Sequence, residues 1–344
     1  MKVVDLFTGL GGFSAGALAA GAEVILGIDH DPVPLKLWSA NVPGGRAVLT
    51  SLGSSSGDAV SLPPPSPHVH VHASTPCTDL SPARGRSATP ADVASGVCML
   101  RWALDLVLKR GDHSWSLENV STPKTREVLA DYAARFPKKV AFATLDAADF
   151  GSPQTRIRLI AGPPALIKLL QEMPSSKRVS VREAFASSGL DVPAPYLKNQ
   201  TRGRDGEPCR RSVEEQSFTI CASHALTWAT RDGETVKTMS ARDSAVIMGF
   251  DAVWRLPKGS RAAQKAVGNA MCVPMSRAIV QAAICLETGQ PLPAVAPAAP
   301  VEMPEPLSTT APDYRGRGEY NKIKKRLRTI KTLLRELHES VVAP

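Results

Sequence analysis

The stretch Asp5-Leu6-Phe7-Thr8-Gly9-Leu10-Gly11-Gly12-Phe13 decides the reading of this chain. It joins an apolar run at 3–7 to an Ala-rich, helix-favouring segment at 13–20. Glycines between a strand and a helix let the backbone turn tightly and let a ligand approach the helix N-terminus. A second apolar run, 24–28, leads to Asp29, 20 residues beyond Gly9. A carboxylate at such a strand end can take both hydroxyls of a ribose. The loop departs from GxGxxG, because Ser14 stands at the third glycine. A nucleoside without a pyrophosphate, such as a methyl donor, suits it better than a dinucleotide.

Further apolar runs at 69–73, 140–145 and 157–161 alternate with helix-like segments through residue 163. That alternation predicts a parallel sheet with helices on both faces. Ser, Gly and Pro at 51–67 predict a long surface loop. Residues 164–251 have weaker periodicity and hold a basic stretch with Lys198, Arg202, Arg204, Arg210 and Arg211. A helical pattern runs over 262–286. The chain then turns Pro/Ala-rich at 288–312, which reads as a linker. At 320–338, Ile323, Leu327, Ile330, Leu334 and Leu337 follow a heptad spacing on a basic amphipathic helix.

Composition bounds the rest. Of 344 residues, 43% are hydrophobic, enough for a substantial core. No apolar run approaches the roughly 18–20 residues of a membrane span, and the N-terminus lacks a signal-peptide layout. The expectation is an intracellular protein, cytoplasmic or nuclear, with no membrane partner. The six cysteines are far apart with no CxxC pair, which argues against a disulfide scaffold or zinc ribbon. The net charge of +9 permits a nucleic-acid partner without proving one. Nine cations against four acids put +5 of it in 313–344, leaving +4 for the rest.

Four short groups of residues carry candidate chemistry. Thr75-Pro76-Cys77 follows an apolar strand, which sets a thiol at the carboxyl edge of the sheet, where α/β sites form. Read alone, Cys77 is more simply a buried free cysteine. Arg84 and Arg86 nearby favour its thiolate. Glu118, in Leu117-Glu118-Asn119-Val120, ends another strand, and a capping acid is its plain alternative. In Gln154-Thr155-Arg156-Ile157-Arg158, alternation puts Arg156 and Arg158 on one strand face. His68, His70 and His72 also alternate; a metal site is conceivable there, but no fourth ligand is suggested and partly buried polar residues are the plainer reading.

Taken in order and spacing, DLFTGLGG, the Pro-Cys pair, ENV and QTRIR strongly resemble the cytosine-C5 DNA methyltransferase family. The resemblance continues through residues 238–250, with Arg242, and closes at Gly268-Asn269-Ala270; it covers roughly residues 1–287. It implies an α/β, Rossmann-like S-adenosylmethionine-dependent methyltransferase sheet at 1–163. A small, mostly irregular target-recognition region would span 164–236, with late motifs returning to the catalytic domain at 237–287. The tail at 313–344 lies outside the resemblance.

The resemblance also implies roles. Cys77 would attack C6 of a cytosine flipped out of double-stranded DNA. Glu118 would contact N3 and the exocyclic amine, and Arg158 would hold O2. Arg156 would support the site or a phosphate. The methyl group would come from S-adenosylmethionine, with no metal. Phe7, Gly9, Gly11, Gly12, Asp29, His30, Pro76, Asn269 and Ala270 match the cofactor pocket. The segment 78–94, with Ser81 and Arg84, corresponds to a loop that closes over the flipped base. Arg202, Arg204, Arg210, Arg211 and Arg242 are expected to face nucleic acid. Two departures stand out: Thr78 replaces the usual Gln after the cysteine, and no Asp is evident near Ser51 for adenine. A tRNA cytosine methyltransferase, or a non-catalytic DNA-binding relative, shares much of the pattern. The chain is expected to be monomeric; the tail could track phosphates, self-associate through its heptad stripe, or stay a solvated appendage.

Overall fold

The computed structural model describes residues 1–53, 61–77, 80, 89–173, 177–202 and 208–291, with the backbone alone at 90–92 and 201–202. The linker, the heptad helix, Ser81, Arg84, Arg204 and the side chain of Arg202 lie outside the described residues.

Seven strands form the main sheet: β1 (Lys2–Leu6), β2 (Glu23–Asp29), β3 (Arg46–Leu49), β4 (Val69–Ser74), β5 (Ser114–Val120), β6 (Ala141–Asp146) and β7 (Ile157–Gly162). Their order is β3-β2-β1-β4-β5-β7-β6. The strands around β1 pair in parallel, as the alternating pattern predicts. β7 departs from the expectation and runs antiparallel between β5 and β6. The connection from β6 to β7 is only residues 147–156, too short for the dozen or more residues and helix that a parallel crossover needs.

Alternation along each strand divides the core in two. Val3 faces one cluster with Phe13, Ile279 and Val280, while Val4 and Leu6 face another with Leu104, Leu117 and Leu129. The first is covered by α1 (Gly12–Ala19), α5 (Pro164–Glu172) and α9 (Val273–Thr288), the second by α3 (Pro90–Arg110) and α4 (Pro123–Arg135). Gly12 permits the close approach on the first face: a Cβ there would sit 2.1 Å from the Met271 carbonyl oxygen. Its place in the loop therefore has a packing reason independent of any ligand.

The region 164–236, expected to be mostly irregular, carries a four-stranded antiparallel sheet among its loops. Its strands are β8 (Tyr196–Arg202), β9 (Pro208–Ser212), β10 (Thr227–Ala229) and β11 (Thr235–Thr238), in the order β11-β10-β8-β9. Trp228 is fully buried there and meets Phe185 edge to face, with ring centres 5.3 Å apart.

The helical pattern at 262–286 is not one helix but two, α8 (Ser260–Asn269) and α9. Pro274 has no N–H for the carbonyl four residues back, Ala270, so the helix cannot run through. Arg156 takes that carbonyl instead, Nη2 to Ala270 O at 3.0 Å. Read across this break, Ser260–Thr288 has the length and composition of a membrane span, contrary to the sequence expectation, but two-thirds of the window is buried inside the fold. It is a core element.

Candidate active site

Four groups meet at the carboxyl ends of β4 and β5 and the amino end of antiparallel β7. Thr75, Pro76 and Cys77 leave β4, and Asn119 of β5 holds them, its Nδ2 donating to Thr75 Oγ1 at 2.8 Å. The Asn119 Oδ1 accepts from the Val120 N–H at 2.7 Å, which locks the amide's orientation. Glu118 and Arg158 pair across the sheet, Nε to Oε1 at 2.8 Å, both nearly buried. Antiparallel register explains this: Glu118 sits opposite Ile160 and Val120 opposite Arg158, so Glu118 and Arg158 are diagonal neighbours on adjacent strands.

Cys77 stands in the field of this pair. Burial pushes its thiol above the ordinary range, and the Glu118 carboxylate pushes it further. Arg158 and then Arg156 pull the other way without prevailing. The free protein therefore carries a thiol, where the sequence reading looked to nearby arginines for a thiolate.

Arg156 occupies a different place from the one alternation suggested. It precedes β7 and is buried, and its guanidinium donates to the carbonyls of Ile220 (3.0 Å), Gly268 (3.3 Å) and Ala270 (3.0 Å). Desolvation lowers it to about 10. This is a clamp between the Ile220 segment and the α8–α9 break. Gln154 works beside it: its Oε1 accepts from the Ile220 N–H at 3.0 Å and its Nε2 donates to Ile247 O at 3.2 Å.

At the neighbouring strand ends, Asp29 closes β2. Its Oδ2 accepts from the Gly9 N–H and its Oδ1 from the Asp31 N–H, both at 2.8 Å. Burial alone would raise this carboxyl, but His30 and the two backbone donors together hold it below the usual range. His30 is itself raised by Asp29 and stays largely exposed. Phe7 adopts a left-handed φ of +59° and Gly11 caps α1 at +88°. With His30 Nδ1 also 3.3 Å from Oδ1, one lone pair of Oδ2 is left for a ligand, so this donor set fits a ribose hydroxyl of S-adenosylmethionine. Ala270 is buried in the α8–α9 break, whereas Asn269 is exposed beside it.

Several expected DNA-facing cations have internal partners. Arg211 donates to Thr155 Oγ1 at 2.7 Å and to Ser217 O at 3.0 Å, and stacks on Phe218 at 4.4 Å. Arg242 donates to Trp254 O at 2.9 Å. Arg210 bonds Arg231 O at 2.7 Å and is exposed. Sequence reasoning missed Trp38, whose Nε1 donates to Ser14 Oγ at 2.8 Å, while Ser14 donates to Asp5 at 2.5 Å. No local pattern marks Trp38, because its partner is 24 residues away. Among the described residues, no three His, Cys, Asp or Glu side chains are grouped to hold a metal.

A mostly parallel open sheet, a Gly-rich turn after its first strand and an acid ending its second define a Rossmann-like methyltransferase fold. Residues 1–162 match the family described as C-5 cytosine-specific DNA methylase. That match spans the first 162 of the 344 residues. It is 27% identical over 308 residues to the Type II methyltransferase M2.BsuMI of Bacillus subtilis, covering 80% of this chain and 74% of that one. With M.NlaX of Neisseria lactamica it shares 23% over 307 residues, 81% of this chain and 95% of the relative. A solved prophage-encoded DNA modification methyltransferase from E. coli has the same fold, with a TM-score of 0.59 at 14% identity over 84% of this chain and all of that one.

Proposed function

We propose that this protein methylates C5 of cytosine in double-stranded DNA, with Cys77 as nucleophile, Glu118 as acid and Arg158 as the group that positions both. The observation that carries this reading is the 2.8 Å Arg158–Glu118 pair beside the Cys77 thiol. The C6 carbon of cytosine is a weak electrophile, and sulfur is the soft nucleophile suited to it. The Cys77 thiol gives its proton to water, and as Sγ bonds to C6 electron density moves toward N3, where a protonated Glu118 delivers a proton. Arg158 anchors Glu118 and has donors left for O2, the carbonyl that gains charge with N3. When S-adenosylmethionine is bound, it supplies the methyl group that C5 takes. Loss of the C5 proton then expels Cys77 and restores the aromatic ring. Asp29, with Gly9, would hold the ribose of the donor, and His30, Phe7 and Pro76 would line its base.

A cytosine inside a duplex is out of reach of Cys77, so the base must be flipped out. Exposed Arg210 on β9 is a candidate phosphate contact. The Type II names of the relatives suggest the modification half of a restriction–modification pair, in which methylation would shield host DNA. Tritium transfer from labelled donor to DNA, with tRNA and Cys77→Ala alongside, tests the reading. Transfer to DNA that vanishes in Cys77→Ala is expected. Transfer to tRNA alone refutes the substrate, and transfer that survives Cys77→Ala refutes the mechanism.

A further inference from the structure

The centre of the sheet holds a row of buried polar side chains that the methyl-transfer reading does not use. On β4, His70 and His72 are fully buried. On the parallel neighbour β5, their register partners are Ser114 and Ser116. His70 Nδ1 meets Ser114 Oγ and His70 Nε2 meets Ser116 Oγ, each at 2.8 Å. His72 Nδ1 meets the same Ser116 Oγ and His72 Nε2 meets Ser74 Oγ, again at 2.8 Å. The result is one unbroken ladder, Ser114–His70–Ser116–His72–Ser74, crossing the sheet from its amino edge to its carboxyl edge. Phe13 stacks flat on His72 with ring centres 3.5 Å apart and seals it from solvent. Ser74 is the register partner of Glu118, so the two residues share a face on strands spaced about 4.8 Å apart, and the Ser74 hydroxyl donates to Met271 Sδ at 4.0 Å.

A buried imidazole is costly unless both nitrogens are satisfied, and aliphatic residues would fill this strand without that demand. Five residues in the patterns His-x-His-x-Ser and Ser-x-Ser cooperate to meet it. Each neutral imidazole has one donor and one acceptor nitrogen, and each hydroxyl offers both. The ladder can therefore be ordered in one direction throughout, or in the other.

We propose that this ladder is a proton path that loads and unloads Glu118 while DNA and donor cover the carboxyl edge of the sheet. The inference rests on the methyltransferase reading. Starting with Nε2–H on both rings, water at the amino edge gives a proton to Ser114 Oγ, which passes its own to His70 Nδ1. His70 releases its Nε2 proton to Ser116, and Ser116 passes its own to His72 Nδ1. His72 then releases Nε2–H to Ser74, whose own hydroxyl proton turns from Met271 Sδ to reach the Glu118 carboxylate. At every link one O–H or N–H bond breaks and one forms, and a single positive charge has moved inward. When N3 returns its proton to Glu118 late in the turnover, the same hops run in reverse. The rings recover their first tautomers, so no ring has to turn inside the packed sheet. His70, His72 and the three serines act through Glu118 and are positioning residues in this sense.

The test uses Ser116→Ala, which cuts the ladder at its middle without touching Cys77, Glu118 or Arg158. Single-turnover methyl transfer should slow on the order of 10²-fold, the low end of what acid–base catalysis contributes, with KM for DNA and donor unchanged. Ser116→Thr, which restores a hydroxyl, should recover the rate. A wild-type rate in folded Ser116→Ala, or no recovery in equally folded Ser116→Thr, overturns the path. Should Ser116→Ala not fold, Ser114→Ala removes the outer end and should slow transfer likewise; a normal rate there overturns the proposal. Nitrogen-15 NMR of the wild-type histidines, without DNA, judges the ladder apart from the activity. Both rings should be neutral and carry the proton on the same nitrogen. A ring charged at neutral pH, or opposed tautomers with both rings donating to Ser116, would overturn it even in an active enzyme. A wild type that transfers no methyl group would refute the activity while the NMR still decided the ladder.

Discussion

Arg158 Nε lies 2.8 Å from Glu118 Oε1, and both side chains are almost withdrawn from water. Two strands running in opposite directions make that pair, and it stands beside Cys77, which follows Pro76 after β4. Removing one partner of such a pair strands the other as a buried charge, at a cost of about 3–5 kcal/mol. Arg158→Ala should therefore lose both methyl transfer and several degrees of melting temperature. Glu118→Gln keeps a hydrogen-bonding partner for Arg158, so it should stay folded yet lose transfer by about 10²-fold or more. Thermal melts beside single-turnover assays check the contrast.

Glu118 also acts on Cys77 in the free protein. Burial first, and Glu118 second, hold the thiol protonated. Alkylation by iodoacetamide at neutral pH should be slow at Cys77 and should speed up as pH rises toward and past the ordinary thiol range. In Glu118→Gln one of the two causes is gone, so alkylation at a given pH should be faster than in wild type. Peptide mapping separates Cys77 from the other five cysteines; equal rates in the two proteins would remove Glu118 from the thiol's environment.

The buried histidines set the acid limit of stability. Burial lowers His70 to about 3 and holds His72 well below its ordinary value. Their folded pKa values are depressed, so stability is full above the unfolded value near 6.5 and is lost as pH falls below it. Asp5 has the opposite sign: burial raises it to about 6, so in the folded state it binds a proton that the unfolded chain takes up only near 3.8. Between about pH 6 and 4 the slope should correspond to one net proton, two lost against one gained. Asp5→Asn should steepen that limb to two, and His72→Gln should flatten it. Denaturant titrations at stepped pH read the slopes.

The arginines divide by where their donors go. Arg156 satisfies three carbonyls at once, a fork that lysine cannot copy. Arg156→Lys should lower the melting temperature and loosen the 219–229 segment and the α8–α9 break to hydrogen exchange. Arg211→Ala should likewise be a stability variant, since its guanidinium is spent on Thr155, Ser217 and Phe218.

Arg210→Ala should instead leave the melt nearly unchanged and weaken DNA binding. Loss of one phosphate contact should reduce the salt slope of log K by about 0.9. An unchanged slope would place the DNA elsewhere on the protein.

Much of this molecule is legible in one dimension. The glycine turn between β1 and α1, the acid ending β2 and the Pro-Cys after β4 are each properties of a few consecutive residues. A turn needing left-handed backbone and a strand end presenting a side chain are local events, so residue type and spacing determine them. Antiparallel β7 was not legible, because its direction depends on which slot in the sheet its neighbours leave open. Arg156 and Arg158 are two residues apart and chemically alike. Only the folded chain makes one a clamp on distant carbonyls and the other the partner of Glu118, because the Ile220, Gly268 and Ala270 carbonyls come from far along the sequence. The alternating histidines read locally as no more than a polar strand. Their serine partners stand some forty residues away on β5, and parallel register, a property of the sheet, aligns the two rows into a single hydrogen-bonded ladder.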